Sequence, residues 1–201
     1  MSRLAATLGS DVPFFLCDAP YAIGRGRGDV CEPVGPAPGL AQVLVVPDVR
    51  LSTKESYEAL DRRSTGEAQF NPSTSLTSLR IESPGKVEGF GLTAPKPSVT
   101  MAVHALCNGS LGELASGLWN DLEPEAIRRC PSIGLIQSHM LDLGCLGSRV
   151  SGSGPSVFGL CRSPSLAREI ATQLRAFAEP DWRIEIIQTD QPSRRTASAV
   201  R

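Results

Sequence analysis

Three short apolar runs and one strongly amphipathic stretch constrain the fold of this chain more than any other feature. Ala41-Gln-Val-Leu-Val-Val46 is ended by Pro47 and suits a buried strand. Ser156-Val-Phe-Gly-Leu-Cys161 reads as a second strand, and Trp182-Arg-Ile-Glu-Ile-Ile-Gln188 alternates like a third. Between the last two lies a helical pattern over 165–178, with Leu166, Ile170, Leu174 and Phe177 at spacings of three and four. Arg149–Val150 offers a further strand just before the glycine-rich Ser151-Gly-Ser-Gly-Pro155. Helical patterns fill the interval ahead of it, at 98–107, 112–118 and 124–143, the last split by Pro131. Ser52 and Glu55 form a capping-box pattern that opens another helix, running to about residue 63. From residue 41 the order is therefore strand, helices, strand, strand, helix, strand. That order predicts an α+β fold of ferredoxin-like type, a split pair of β-α-β units on an antiparallel sheet.

Residues 1–40 do not fit inside that unit. Residues 3–8 look like the last turn of a helix stopped by Gly9, and 12–16, 19–24 and 30–34 read as short extended segments. From 64 to about 97 the composition turns to Ser, Thr, Gly and Pro, which predicts a flexible insertion or irregular flap. The last ten residues read as a frayed tail. The expected division is thus 1–40 apart from a ferredoxin-like domain over 41–201.

Charge narrows the function classes. With 20 Lys+Arg against 21 Asp+Glu among 201 residues, the chain has no basic excess to neutralise phosphates, so a nucleic-acid or anionic-membrane partner is not expected. No stretch approaches a membrane span, and the first residues lack the apolar core of a signal peptide. The six cysteines stand singly, mostly in apolar runs, as buried reduced thiols of a cytoplasmic protein would. Two histidines without ligand spacing predict no metal site.

Several residues have two readings. Ser151–Ser156 is either a hairpin turn needing positive φ or a loop whose backbone N–H groups meet an anion. Asp11, between a turn and an apolar run, is either a solvent-facing turn residue or a carboxylate partly desolvated and able to take a hydroxyl proton. Tyr57 is either half-buried packing or a flat face for a base. Asn120–Glu123 reads as a helix-entry cap before Pro124. Gly24-Arg-Gly-Arg-Gly-Asp29 mimics a dinucleotide fingerprint but has no helix after it, so it reads as strand and tight turn.

Five stretches together resemble the 4-diphosphocytidyl-2-C-methyl-D-erythritol kinase family of the GHMP kinase superfamily. They are Leu8-Gly-Ser-Asp-Val-Pro-Phe-Phe-Leu16, then Gly24–Asp29 with Pro33, then Leu51-Ser-Thr-Lys-Glu-Ser-Tyr57 with Leu60–Asp61, then Asn120-Asp-Leu-Glu123, and Val150-Ser-Gly-Ser-Gly-Pro-Ser-Val-Phe158. The resemblance implies an ATP-dependent phosphotransferase of non-mevalonate isoprenoid biosynthesis. Asp11 matches the catalytic aspartate that takes the proton from the substrate hydroxyl. Thr53 and Tyr57 match substrate-binding positions, with Tyr57 stacking on the cytosine of a cytidine diphosphate derivative. Gly152, Ser153 and Gly154 match the glycine loop beside the phosphate-transfer centre.

The same resemblance implies that residues 1–40 are a remnant of an N-terminal kinase domain and that 41–201 are the C-terminal GHMP domain. The family's early Lys and its Pro-x-x-x-Gly-Leu-Gly-Gly-Gly-Ser-Ser loop are not found in these 201 residues. ATP and Mg²⁺ belong to the full-length family, and this chain alone is expected to bind neither and to be inactive. The alternative is a non-catalytic standalone module that binds a ligand or partner. A different GHMP kinase, of homoserine or mevalonate type, is disfavoured by the Asp-Val-Pro-Phe-Phe and Ser-Thr-x-x-x-Tyr stretches. Apolar strand faces in 12–34 are expected to be exposed or capped by self-association.

Overall fold

A computed structural model describes residues 2–9, 11–17, 19–64 and 97–189. The insertion expected at 64–97 and the tail expected at the C-terminus fall almost wholly outside the described residues.

A four-stranded antiparallel sheet organises the chain. Its strands are β3 (Ala41–Val46), β4 (Gly147–Val150), β5 (Val157–Cys161) and β6 (Arg183–Gln188). They lie in the order β4-β5-β3-β6, so β3 is hydrogen-bonded on both sides. Ala41 faces Cys161 on one flank and Gln188 on the other. This is the ferredoxin-like order predicted from the apolar runs.

Residues 41, 43 and 45 of β3 are buried while 42, 44 and 46 are half-buried, which sets one inner face of the sheet. Against that face pack α6 (Glu123–Arg129), α7 (Ser132–Asp142) and α8 (Pro164–Phe177). Their buried residues Ala126, Ile133, Ile136, Met140, Ile170 and Leu174 join Val43, Val45 and Val157 in one core. Pro131 stands between α6 and α7, where the predicted helix divides. Gly159 lets α7 approach β5 closely: a Cβ there would lie 2.6 Å from Cys145 Sγ and 3.0 Å from Met140 Sδ. A second, smaller cluster sits around Leu160, one residue out of step with the inner face. It joins Leu40 to Ala105 of α4 (Val99–Cys107) and to Leu114 and Ala115 of α5 (Leu111–Ser116).

The first forty residues form α1 (Ser2–Leu8), α2 (Val12–Leu16) and the hairpin β1 (Tyr21–Arg25)–β2 (Val30–Val34). The Gly24–Asp29 motif is strand and tight turn, as read, with Gly26 and Gly28 at positive φ. Tyr21 ties the hairpin to the rest by packing on the smaller core and donating its hydroxyl to Pro38 O at 2.6 Å.

Four expectations are corrected. Residues 12–16 are helical, not extended: Pro13 is pre-set for a first helical turn and has no N–H for a ladder. Phe177 is 62% exposed and stacks on His139 instead of entering the core, where Ala167 and Ala171 take the inner positions. Ile186 is likewise exposed, because β6 is an edge strand with only Ile184 buried. Of the cysteines, 130, 145 and 161 are buried, but Cys107 is exposed and Cys17 and Cys31 are half-buried; all six are free thiols.

A buried carboxylate fastens α6 to helix α3 (Thr53–Ser64). Glu125 accepts two hydrogen bonds from Arg128, at 2.9 and 2.7 Å, and one from Arg129 at 2.6 Å. Arg129 also reaches Glu55 on α3. Glu55 therefore spends its side chain on Arg129, while its N–H meets Ser52 Oγ at 3.4 Å, so only half of the predicted capping box forms.

The hydrogen bonds from Arg128, with the one from Arg129, outweigh burial and hold the Glu125 carboxyl at about 2 against an ordinary 4.5. A depressed carboxylate stabilises the fold fully above its unfolded pKa and loses that contribution as pH falls through the folded one. Between about pH 4.5 and 2 the fold should thus lose on the order of 2–3 kcal/mol from this group. Glu125→Gln should unfold more easily at pH 7 yet show a flatter acid dependence, as urea titrations at stepped pH would measure.

Candidate functional site

Thr53, Tyr57, Gly152, Ser153 and Gly154, all singled out in the sequence, meet at one end of the sheet. The β4–β5 hairpin closes over 151–156, and Gly152 and Gly154 take φ of +58° and +81°. The hairpin reading of this loop is therefore correct. At Gly154 a side chain is excluded twice over, by its backbone and by Leu51 Cδ1 and Val150 Cγ1, 3.2 and 3.3 Å from a Cβ.

Helix α3 begins beside this loop. Thr53 Oγ1 and Ser153 Oγ lie 2.9 Å apart, joining residues a hundred positions distant in sequence. Tyr57, one turn further along α3, lines an open cleft of about 360 Å³ with Gly152, Ser151, Asn120, Trp119 and Arg149. The tyrosine is 54% exposed.

Asn120 holds the loop in place. Its amide donates to Val150 O and to Gly152 O, both at 2.8 Å, while its side-chain oxygen accepts the Leu122 N–H at 2.9 Å. Glu123 completes the fastening by accepting Val150 N–H at 2.8 Å and the Gln137 amide at 2.8 Å. The predicted helix-entry cap is corrected: Leu122 is the N-cap of α6 and no side chain caps it, the Asn120 oxygen closing a turn just before the helix, and the segment spends most of its polar atoms on the loop. With the Gly152 carbonyl turned onto Asn120, the N–H groups of Gly152 and Ser153 make no hydrogen bond among the described residues. Such N–H groups beside two hydroxyls suit an anionic oxygen.

Arg149 adds a guanidinium to the cleft wall, its Nε on Leu118 O at 3.0 Å and 3.8 Å from Glu123 Oε1. Nothing in the sequence marked Arg149 or Trp119 as cleft residues, and the stretch beginning at Asn120 was marked without its contact to the loop. Only the tertiary approach of the α5–α6 connection to β4 brings them there.

Asp11 is placed elsewhere. It is exposed at the N-cap of α2, with its carbonyl accepting the Phe14 N–H at 3.1 Å, and it does not line the cleft. Of its two readings from the sequence, the solvent-facing turn residue is the one its exposure matches. The Cys31 thiol is pushed up first by burial, then by Cys17, with the carboxylates of Asp29 and Asp11 adding to the shift. Among the described residues no three His, Cys, Asp or Glu side chains gather as a metal site needs. No described helix is long and apolar enough to cross a membrane.

Comparison with known proteins gives these features a context. Residues 102–179 match the family model described as GHMP kinases C terminal. The 4-diphosphocytidyl-2-C-methyl-D-erythritol kinase of Pelotomaculum thermopropionicum is 33% identical over 192 residues, 96% of this chain and 56% of its own length. The protein of the same name from Gloeobacter violaceus is 28% identical over 95% of this chain and 55% of its own length. This chain spans about half the length of the curated relatives it matches. A crystal structure of 4-(cytidine 5'-diphospho)-2C-methyl-D-erythritol kinase superposes with a TM-score of 0.63 at 29% identity, over 94% of this chain and 57% of that one. An L. major mevalonate kinase in complex with R-mevalonate shares the fold at 20% identity and a TM-score of 0.56, over 82% of this chain and 46% of that one. The resemblance read from the five motifs is met by these relatives, and the α+β fold is that of GHMP kinases.

Asn120→Ala should leave the Val150 and Gly152 carbonyls without their donor and cost about 1–3 kcal/mol. Thermal unfolding should register the loss, and amide exchange should quicken at 151–154 before it does in the core.

Proposed function

We propose, from the names of the relatives and the motif resemblance read in the sequence, that the chain carries the C-terminal part of a kinase that phosphorylates a hydroxyl of 4-diphosphocytidyl-2-C-methyl-D-erythritol with ATP. The observation that supports this most is the Thr53–Ser153 hydroxyl pair at 2.9 Å, because it joins the helix whose Tyr57 lines the cleft to the glycine loop whose Gly152 lines it too. In this reading Tyr57 offers its ring to the cytosine and Thr53 its hydroxyl to the substrate. Gly152, Ser153 and Gly154 present N–H and O–H donors to the phosphates. Asp11 takes the proton from the attacking hydroxyl. Residues 1–40, with Asp11, belong with the ATP-binding part, and 41–201 form the GHMP C-terminal domain. A cytoplasmic location goes with a soluble small-molecule substrate.

Phosphoryl transfer rests on positioning and on donors that neutralise the phosphates. These 201 residues contain the glycine loop and Asp11 but no Gly-Leu-Gly-Gly-Gly-Ser-Ser run, so the polypeptide by itself should show no meaningful turnover. Joined behind the N-terminal half of the Pelotomaculum relative, it should phosphorylate the substrate in a coupled ADP-release assay. In that protein Asp11→Asn should lower kcat about 10²–10⁴-fold with little change in ATP affinity. Tyr57→Ala should mainly raise the KM for the cytidine substrate. Retained kcat in the first variant would remove Asp11 from the mechanism.

The reading as a non-catalytic module that self-associates draws on Leu4, Leu8, Phe15 and Val30, all exposed on the first thirty residues. Sedimentation of the 201-residue chain should then show a dimer that Phe15→Asp dissociates.

A further inference from the structure

Trp119 is an exposed aromatic residue that neither core uses. The chain's other tryptophan, Trp182, packs against the main core, whereas Trp119 belongs to neither cluster and is 47% exposed. Its single polar atom is already satisfied: Nε1 donates to Asp121 Oδ1 at 3.0 Å. What it leaves in water is therefore the apolar part of the indole, and that part lines the same cleft as Tyr57.

Position and rigidity both argue against an idle surface residue. The next residue, Asn120, is fixed by three hydrogen bonds to Val150, Gly152 and Leu122. The backbone carrying Trp119 is therefore held to the glycine loop, and the Asp121 bond restrains the ring. An aromatic side chain held this way loses little entropy on binding. Two rings from different elements thus reach one cleft, Tyr57 from α3 and Trp119 from the α5–α6 connection. Beside them are the N–H groups of Gly152 and Ser153, which suit a phosphate oxygen.

We infer that Trp119 is a second stacking residue of this cleft, binding the planar base of a nucleoside phosphate together with Tyr57. The inference rests on the base-binding role proposed above for Tyr57 and adds a residue to it. Aromatic stacking is sequence-tolerant by nature, so Trp119 supplies affinity for a base as such, and choice among bases falls to the polar atoms around it.

The test is a titration of the 201-residue chain with cytidine 5'-diphosphate into the millimolar range, followed by ¹H–¹⁵N spectra. The indole resonance of Trp119, identified by its loss in Trp119→Phe, should move saturably while that of Trp182 stays still. Ribose 5-phosphate, which lacks a base, should leave it in place. Trp119→Ala should weaken binding about 5–150-fold and Trp119→Phe by no more than about threefold. A Trp119 resonance that stays still, with unchanged affinity in Trp119→Ala while Tyr57→Ala binds more weakly, would overturn the inference and leave the role of Tyr57 standing. Absence of binding, or binding indifferent to both variants, would overturn the two together.

Discussion

Hydrogen bonding of β3 on both of its edges is the constraint on which the rest depends. The strand has antiparallel partners to either side, so its register with β5 and its register with β6 are fixed together. A slip of one residue would carry Val43 and Val45, both fully buried, to the other face of the sheet. With β3 set, the start of α3 a few residues beyond it and the β4–β5 loop fall at the same end of the sheet. The cleft is a by-product of that register.

Polar fastenings then convert proximity into fixed geometry. Arg129 links Glu125 on α6 to Glu55 on α3, which ties down the helix bearing Thr53 and Tyr57. Asn120 and Glu123 hold the opposite wall through the backbone of Val150 and Gly152. Glu125 is 9% exposed, and two guanidinium groups keep its charge there without an unmet partner. Both walls are thus anchored on α6 or the turn leading into it, so the short helix Glu123–Arg129 acts as a common footing.

Much of this was legible in the sequence wherever the signal was local. The apolar run at 41–46, the split at Pro131, the glycine turns at 24–29 and 151–154, and the amphipathic stretch before residue 178 each specify their own element. The order of those elements was enough to give the sheet. Short apolar runs were less decisive: Val12–Leu16 fits a strand or a helix by hydrophobicity, and Pro13 decided for the helix. Periodicity placed Phe177 on the inner face of α8 but could not show that the helix has left the sheet by then. The cleft was half legible. Thr53, Tyr57 and the glycine loop were marked by motif, and Asn120 by motif but not for its hold on the loop, whereas Arg149 and Trp119 reach the cleft across thirty or more residues of chain and leave no local pattern.

The separation of Thr53 from Ser153 also has a kinetic meaning. Their contact, like the pairing of β3 with β5, closes a loop of about a hundred residues that contains α3 through β4. Contacts of such long range form late, after local helices and the β4–β5 hairpin, because closure entropy must be met before they contribute. Functional assembly and global folding are then a single event. No partly folded form in which β3 and β5 are unpaired holds a usable half of the cleft. A ligand of the cleft would bind only the fully folded chain, and would slow its unfolding as well as stabilise it at equilibrium.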